Sequence, residues 1–273
     1  MMLAPINQGS SPEPFFSVIT VCFRDLPNLI RTAESIREQS FSNYEWIVID
    51  GAGLDGTDEW LSLQSDTRLK WLSEPDAGIY DAMNKGIAQA AGKYLIFMNS
   101  GDCFEDSSVL DLTYKAAYQV EKLPFGLLYG DSIRFSPEAG ESIFAAKSPS
   151  GVWWHMFAQH QAIFFLRDGS LYDVKYRLSA DYDLISRYVG KYKERMLRLD
   201  FVVCRYALGG RSESGRWAAI REDFDIRVNS MKINPFCAFV LLFLHTIHSV
   251  WKFQIKNWIR TNMRYGKTLP RSV

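Results

Sequence analysis

The sequence predicts an α/β chain built on a doubly wound, mostly parallel, Rossmann-like sheet. Three observations carry this reading: short apolar runs rich in β-branched residues, helical patterns between them, and aspartates where the runs stop. A strand covered on both faces is apolar throughout rather than alternating, which is the habit of parallel sheets.

FFSVITVCF reads as the first strand, and LPNLIRTAESIREQS as a helix with Leu26, Leu29, Ala33 and Ile36 at helical spacing. YEWIVID is a second strand, TDEWLSLQS a short helix and LKWLSE a third strand. In YDAMNKGIAQAAG, Ile79, Met83, Ile87 and Ala90 form the expected buried stripe of a helix, and Gly92 its expected C-terminal cap. KYLIFMN is the fourth strand. Strands alternating with helices in this order imply parallel crossovers, and ligands of such sheets gather at the carboxyl ends of the strands. After Asp102 the pattern loosens: SSVLDLTYKAAYQVE is a helix, FGLLYGDSIRF a strand pair or hairpin, and ADYDLISRYVG a helix with Asp181 in its first turn. Between them, GVWWHMFAQHQAIFFLRD mixes aromatic residues with His155 and His160.

With 273 residues, 47% of the chain hydrophobic and 14% of the chain aromatic, it sustains a large core and is not disordered. Its four cysteines include no CxxC pair, so neither a zinc site nor a disulfide framework is suggested, and reduced, cytosolic thiols are the expectation. MMLAPINQGSSPEP lacks the basic-then-apolar order of a signal peptide and reads as a loose polar arm over residues 1–14. The net charge of zero hides an asymmetry. All 31 acidic and 23 of the basic residues lie at or before Asp225, and the remaining 8 basic residues follow with no acid among them. That division separates a body over residues 15–225 from a basic tail over 226–273 that seeks an anionic partner.

Within the tail, FCAFVLLFL is an apolar run of nine, well short of the roughly twenty residues of a spanning helix. Beyond it, Lys252, Lys256, Arg260 and Arg264 recur every four residues, opposed by Ile255, Trp258, Ile259 and Met263. A basic amphipathic helix with tryptophans reads as lying in the interface of an anionic membrane. The plainer alternative is a helix packed on the body with solvated charges. Nucleic acid is disfavoured by the acidic body and by the lack of a recognised binding fold.

Gly51-Ala52-Gly53-Leu54-Asp55-Gly56 spells G-x-G-x-x-G between a strand and a helix, as a dinucleotide fingerprint does. Asp50 and Asp55 flank it, however, and carboxylates are poor neighbours for a pyrophosphate. The first strand, where such a fingerprint falls, runs instead into RDLPN. A glycine-rich turn is the plainer reading; Asp50 contacting a ligand base is a third.

Four acids fall at strand ends or helix openings: Asp50, Asp76, Asp102 and Asp181. Each has an ordinary use, as a turn residue or a helix cap. Their shared place on one sheet edge suits a divalent cation carrying an anionic diphosphate.

The stretches SVITVCFRDLPNLIRTAESIREQSFSNYEWIVIDGAGLDGTDEWL and EPDAGIYDAMNKGIAQAAGKYLIFMNSGD resemble the nucleotide-binding half of family-2 glycosyltransferases with the GT-A fold. They are similar especially to the branch that builds bacterial exopolysaccharides such as colanic acid, and the resemblance runs from about Phe15 to Gly210. It implies that Asp50 contacts the nucleotide base and that Asp76 lies near the nucleotide. The family's D-x-D run falls on Asn99-Ser100-Gly101-Asp102, where two of its three acids are missing. The resemblance leaves Asp102 as ligand of Mn2+ or Mg2+, and Asn99 to hydrogen-bond the ribose or a water. It makes Asp181 the catalytic base, with Ala180 replacing the Glu of the family's E-D pair and Asp183 in the flanking position. His160-Gln161 matches an acceptor-site element, though a buried histidine would be as ordinary. LGGRS resembles the loop over the donor. The Q-x-x-R-W of processive synthases is absent, since Arg216-Trp217 lacks its Gln, so one sugar is added at a time.

The implied activity is inverting transfer of one sugar from a nucleotide-sugar donor, UDP-linked, to a lipid-linked saccharide at the cytoplasmic face of the inner membrane. The rivals are an NAD-dependent oxidoreductase built on the glycine stretch and a catalytically degenerate nucleotide- or glycan-binding module.

Overall fold

The computed structural model describes residues 13–118, 123–136, 140–207, 215–247 and Trp251. The chain opens with β1 (Phe16–Cys22), α1 (Leu26–Arg37), β2 (Tyr44–Asp50), α2 (Thr57–Ser62), β3 (Leu69–Ser73), α3 (Ile79–Gln89) and β4 (Tyr94–Phe97). It continues with β5 (Cys103–Phe104), α4 (Val109–Tyr118), β6 (Leu127–Ser136), β7 (Gly140–Phe144), β8 (Ile163–Leu166), α5 (Ala180–Tyr192), β9 (Met196–Ala207) and α6 (Arg216–Asn229). A last helix, α7, spans residues 235–247.

Among the described residues the sheet runs β3-β2-β1-β4-β8-β6-β9-β5, with β7 paired to β6. β3, β2, β1 and β4 are mutually parallel, as the continuous apolar runs predict. β8 enters antiparallel between β4 and β6, and β6 and β9 then run parallel. The sequence-level strand pair resolves into one long strand, β6, that hairpins onto β7.

Period-two alternation divides β1 between two cores. Phe16 and Val18 pack with Leu29, Ala33 and Ile36 of α1, whereas Ile19 and Val21 pack with Met83 and Ile87 of α3. Burying each such side chain contributes about 1.5–3 kcal/mol, so the two layers hold the sheet from both sides. α3 sits close: a Cβ on Gly86 would lie 2.5 Å from Ile19 Cγ2. Two expectations for this helix change. Ile79 is exposed, because the cavity described below opens beside it. Gly92 is not a left-handed cap; the helix ends at Ala90 in extended backbone, and Gly92 is needed because a Cβ there would strike the backbone of Phe16 and Ser17.

The buried carboxylate of Glu45 ties this end of the sheet together, accepting from Ser17 Oγ at 2.6 Å, Ala91 N at 2.6 Å and Lys70 Nζ at 2.6 Å. α6 runs unbroken through the boundary expected after residue 225, with Ile226 and Arg227 buried. Arg227 Nε donates to Trp153 O, so this helix packs as part of the body.

Candidate active site

In register, Cys22, Asp50 and Ser73 lie side by side at the carboxyl edge of β1, β2 and β3. Asp50 is buried, and its Oδ2 accepts from Ser73 Oγ at 2.6 Å while Oδ1 has no hydrogen-bond partner. Burial pushes its carboxyl above the ordinary range, against the pull of Ser73. An unpaired buried acceptor is costly unless a donor arrives, so this oxygen is suited to a ligand N–H.

Directly beyond that edge lies a cavity of about 580 Å³, lined among others by Phe23, Gly51, Asp76, Gly78, Ile79 and Arg177. Asp76 is locally fixed, its Oδ1 accepting from Gly78 N at 2.8 Å. The N-terminus of α3 opens here with Asp81 in its first turn, whose Oδ2 accepts from Ala77 N at 3.0 Å, and Arg177 adds a cation to the cavity lining.

The glycines of the G-x-G-x-x-G stretch serve close packing rather than a pyrophosphate. A Cβ on Gly51 would lie 2.6 Å from Asp76 Oδ2, and one on Gly53 2.8 Å from Arg24 N. Asp55 is spent on the loop itself, accepting from Leu26 N at 3.2 Å and Thr57 Oγ1 at 2.7 Å.

At the end of β4 the Asn99-Ser100-Gly101-Asp102 turn is pinned from both sides. Thr32 Oγ1 donates to Asp102 O at 2.8 Å and accepts from Gly101 N at 2.9 Å, while Ser100 Oγ reaches Asp25. Gly101 takes φ +93°, a conformation suited to glycine. Asn99 Nδ2 lies 3.3 Å from His160 Nε2, and His160 Nδ1 lies 3.7 Å from Asp181 Oδ2. Asp181 Oδ1 accepts from Tyr80 OH at 3.3 Å, next to the cavity-lining Ile79. Asn99, His160 and Asp181 therefore make a continuous run of contacts, although they come from three separate parts of the chain. Burial holds His160 below its ordinary pKa, with Asp181 pulling the other way.

Asp102 is 7% exposed and is not among the cavity-lining residues, and burial pushes its carboxyl up to about 7 against the pull of Gln161. The expected metal-ligand role does not suit this burial: the carboxyl would have to be uncovered to share a cation with a phosphate in the cavity. Among the described residues no group of three or more His, Cys, Asp or Glu is placed to hold a metal ion. The turn, with an amide and a glycine where acids were expected, does not fit such an ion.

Asp183 is committed elsewhere, accepting from Arg187 Nε at 2.8 Å and Ser230 Oγ at 2.5 Å. Sequence reading missed Glu222 of α6, which accepts from Arg177 N, Leu178 N and Ser179 N at 2.9 Å each and so fixes the entry to α5 and its Asp181. Its neighbour Asp223 is pushed up to about 6 by burial. No local signal marks a contact across more than forty residues. The LGGRS loop and the basic residues from Lys252 onward lie outside the described residues.

Residues 17–138 match the family model described as Glycosyl transferase family 2. An uncharacterised glycosyltransferase of Mycobacterium tuberculosis is 35% identical over 187 residues, 64% of this chain and 68% of the relative. A PGL/p-HBAD biosynthesis glycosyltransferase of Mycobacterium bovis is 30% identical over 177 residues, covering 62% and 68% of the two chains. Among solved structures, Staphylococcus aureus TarS 1–349 in complex with UDP-GlcNAc superposes with a TM-score of 0.60 at 14% identity, over 83% of this chain and 70% of that one. The mannosyltransferase PcManGT of Pyrobaculum calidifontis, in complex with GDP-Man and Mn2+, gives 0.60 at 16% identity, over 88% and 73%. These likenesses show the fold.

Proposed function

The chain belongs to glycosyl transferase family 2, and from that premise we propose that it is an inverting glycosyltransferase adding one sugar at a time. The donor is a nucleotide-sugar, UDP-linked, and the acceptor a hydroxyl of a lipid-linked saccharide of bacterial exopolysaccharide or cell-surface polysaccharide synthesis. The reaction takes place at the cytoplasmic face of the inner membrane.

The observation that carries this reading is Asp181, hydrogen-bonded by Tyr80 and facing His160, tied through that tyrosine to α3, whose first residues line the cavity with Asp76 and with Gly51, the residue after Asp50. Asp50 and Asp76 receive the nucleoside, with the free Oδ1 of Asp50 accepting from the base. The diphosphate lies toward Arg177, which offsets its charge. Asp181 takes the proton of the acceptor hydroxyl as that oxygen bonds to the anomeric carbon. The bond from that carbon to the diphosphate oxygen breaks, and its electron pair leaves with the nucleoside diphosphate. Asn99 and His160 position the carboxylate from behind. The Mn2+ held with GDP-Man in PcManGT has no counterpart assigned here, and no step runs through a metal.

A second reading, a nucleotide- or glycan-binding module without turnover, is favoured by the buried Asp102 and by the amide of Asn99 in an acid's place. Binding is tested by thermal shift, in which UDP or GDP raises Tm while NAD leaves it unchanged; the reverse result overturns the nucleotide-sugar reading.

A further inference from the structure

Helix α7 carries apolar residues on two opposite sides. One side docks on the body: Ala238 and Leu241 are buried, and the His245 ring meets Trp154 edge-on at 4.6 Å. The helix start is well made, with Asn234 Oδ1 accepting from Phe236 N at 2.9 Å and Pro235 in the first turn. The other side is uncovered. Phe236, Phe239, Val240, Phe243, Leu244 and Ile247 recur at three- and four-residue spacing, and all are between 40% and 74% exposed. Trp251 prolongs the series. Isolated apolar residues are ordinary on a surface, whereas a continuous stripe of this size marks a contact.

Charge selects the occupant. From Ile226 to the C-terminus the sequence holds 8 basic residues and no acidic one, and 6 of them follow Trp251. A second copy laid on the stripe would bring two such uniformly cationic segments together, which is repulsive. A bilayer with anionic headgroups satisfies both parts, taking the apolar side chains into its acyl boundary and the cations at its surface. Thirteen helical residues reach only about 20 Å, and no helix among the described residues is long and apolar enough to cross a membrane.

We propose that α7 lies in the plane of an anionic bilayer with its Phe236, Phe239, Phe243 and Ile247 edge inserted, holding the body against the surface where a lipid-linked acceptor resides. This rests on the lipid-linked reading above and names the element that serves it.

The test uses the full chain with vesicles of phosphatidylcholine, with and without phosphatidylglycerol. The wild type cosediments with the anionic vesicles, and the double variant Phe239→Ser, Phe243→Ser loses about tenfold or more in vesicle affinity. Its circular dichroism and donor turnover in solution stay at wild-type level, which separates loss of the anchor from loss of the fold or of the enzyme. Wild-type vesicle affinity in the double variant, or no wild-type binding to either vesicle, overturns the proposal while leaving turnover as an independent result. A concentration-dependent dimer that the double variant dissolves also overturns it, by making the stripe a self-contact.

Discussion

His160 Nδ1 faces Asp181 Oδ2 at 3.7 Å, while the other ring nitrogen lies 3.3 Å from the Asn99 amide. The ring thus couples the turn after β4 to the first turn of α5. Its longer contact has room to tighten as the carboxylate prepares to take a proton. His160→Ala is expected to lower turnover by roughly a hundredfold through misplacement of Asp181, with a smaller effect on donor KM. Steady-state kinetics against donor concentration measures both; an unchanged kcat would detach His160 from the reaction.

Asp181 and Asp183 are two residues apart but have separate tasks. Asp181→Asn should cost about 10²–10⁴ in turnover with nucleotide affinity retained. Asp183→Asn breaks the contacts to Arg187 and Ser230 and should lower Tm while leaving measurable turnover. Reversal of this pattern would move the base to Asp183.

Asp50 offers a buried acceptor that a nucleobase N–H can fill. Removing it in Asp50→Ala should weaken UDP binding by about ten- to a hundredfold, the worth of a hydrogen bond to a charged group. Calorimetric titration is the measurement, and Ser73→Ala, which frees Oδ2 rather than removing the acceptor, should cost less. Equal affinity in Asp50→Ala and wild type would place the base elsewhere.

Asp102 makes stability depend on pH. Its folded pKa of about 7 lies above the ordinary 3.8, so the folded state binds the proton more tightly. The contribution of Asp102 to stability is therefore full below about pH 4 and is lost as pH rises toward about 7. Asp102→Asn removes this loss, so urea midpoints at pH 5 and pH 8 should lie closer together in the variant than in the wild type. The variant should also keep its UDP affinity, because the buried carboxyl is not among the residues that line the cavity. Loss of affinity that returns with added Mn2+ would restore the metal role.

The sequence displayed its first half plainly. β1 to β4 are continuous apolar runs separated by clear helical periods, and Asp50 and Asp76 stand at strand ends that counting alone locates. β8 was hidden because Ile163–Leu166 continues an aromatic stretch with no turn signal before it. β9 was hidden because its charges interrupt any pattern, and they are there for ion pairs, Arg198 with Asp131 and Arg205 with Glu105 and Glu141. Asp102 shows the limit at the site: a residue's place in a turn is readable, but its burial is not, and the turn is pinned by Gly101 and the distant Thr32 hydroxyl. Glu222 joins α6 to α5 only through the tertiary fold.

Release of nucleoside diphosphate from a panel of UDP- and GDP-sugars, wild type against Asp181→Asn, tests the central claim most directly. The wild type should release it from at least one donor, and release should fall by about a hundredfold or more in the variant. Equal release by both proteins, or none by either while UDP and GDP still bind, would contradict that claim.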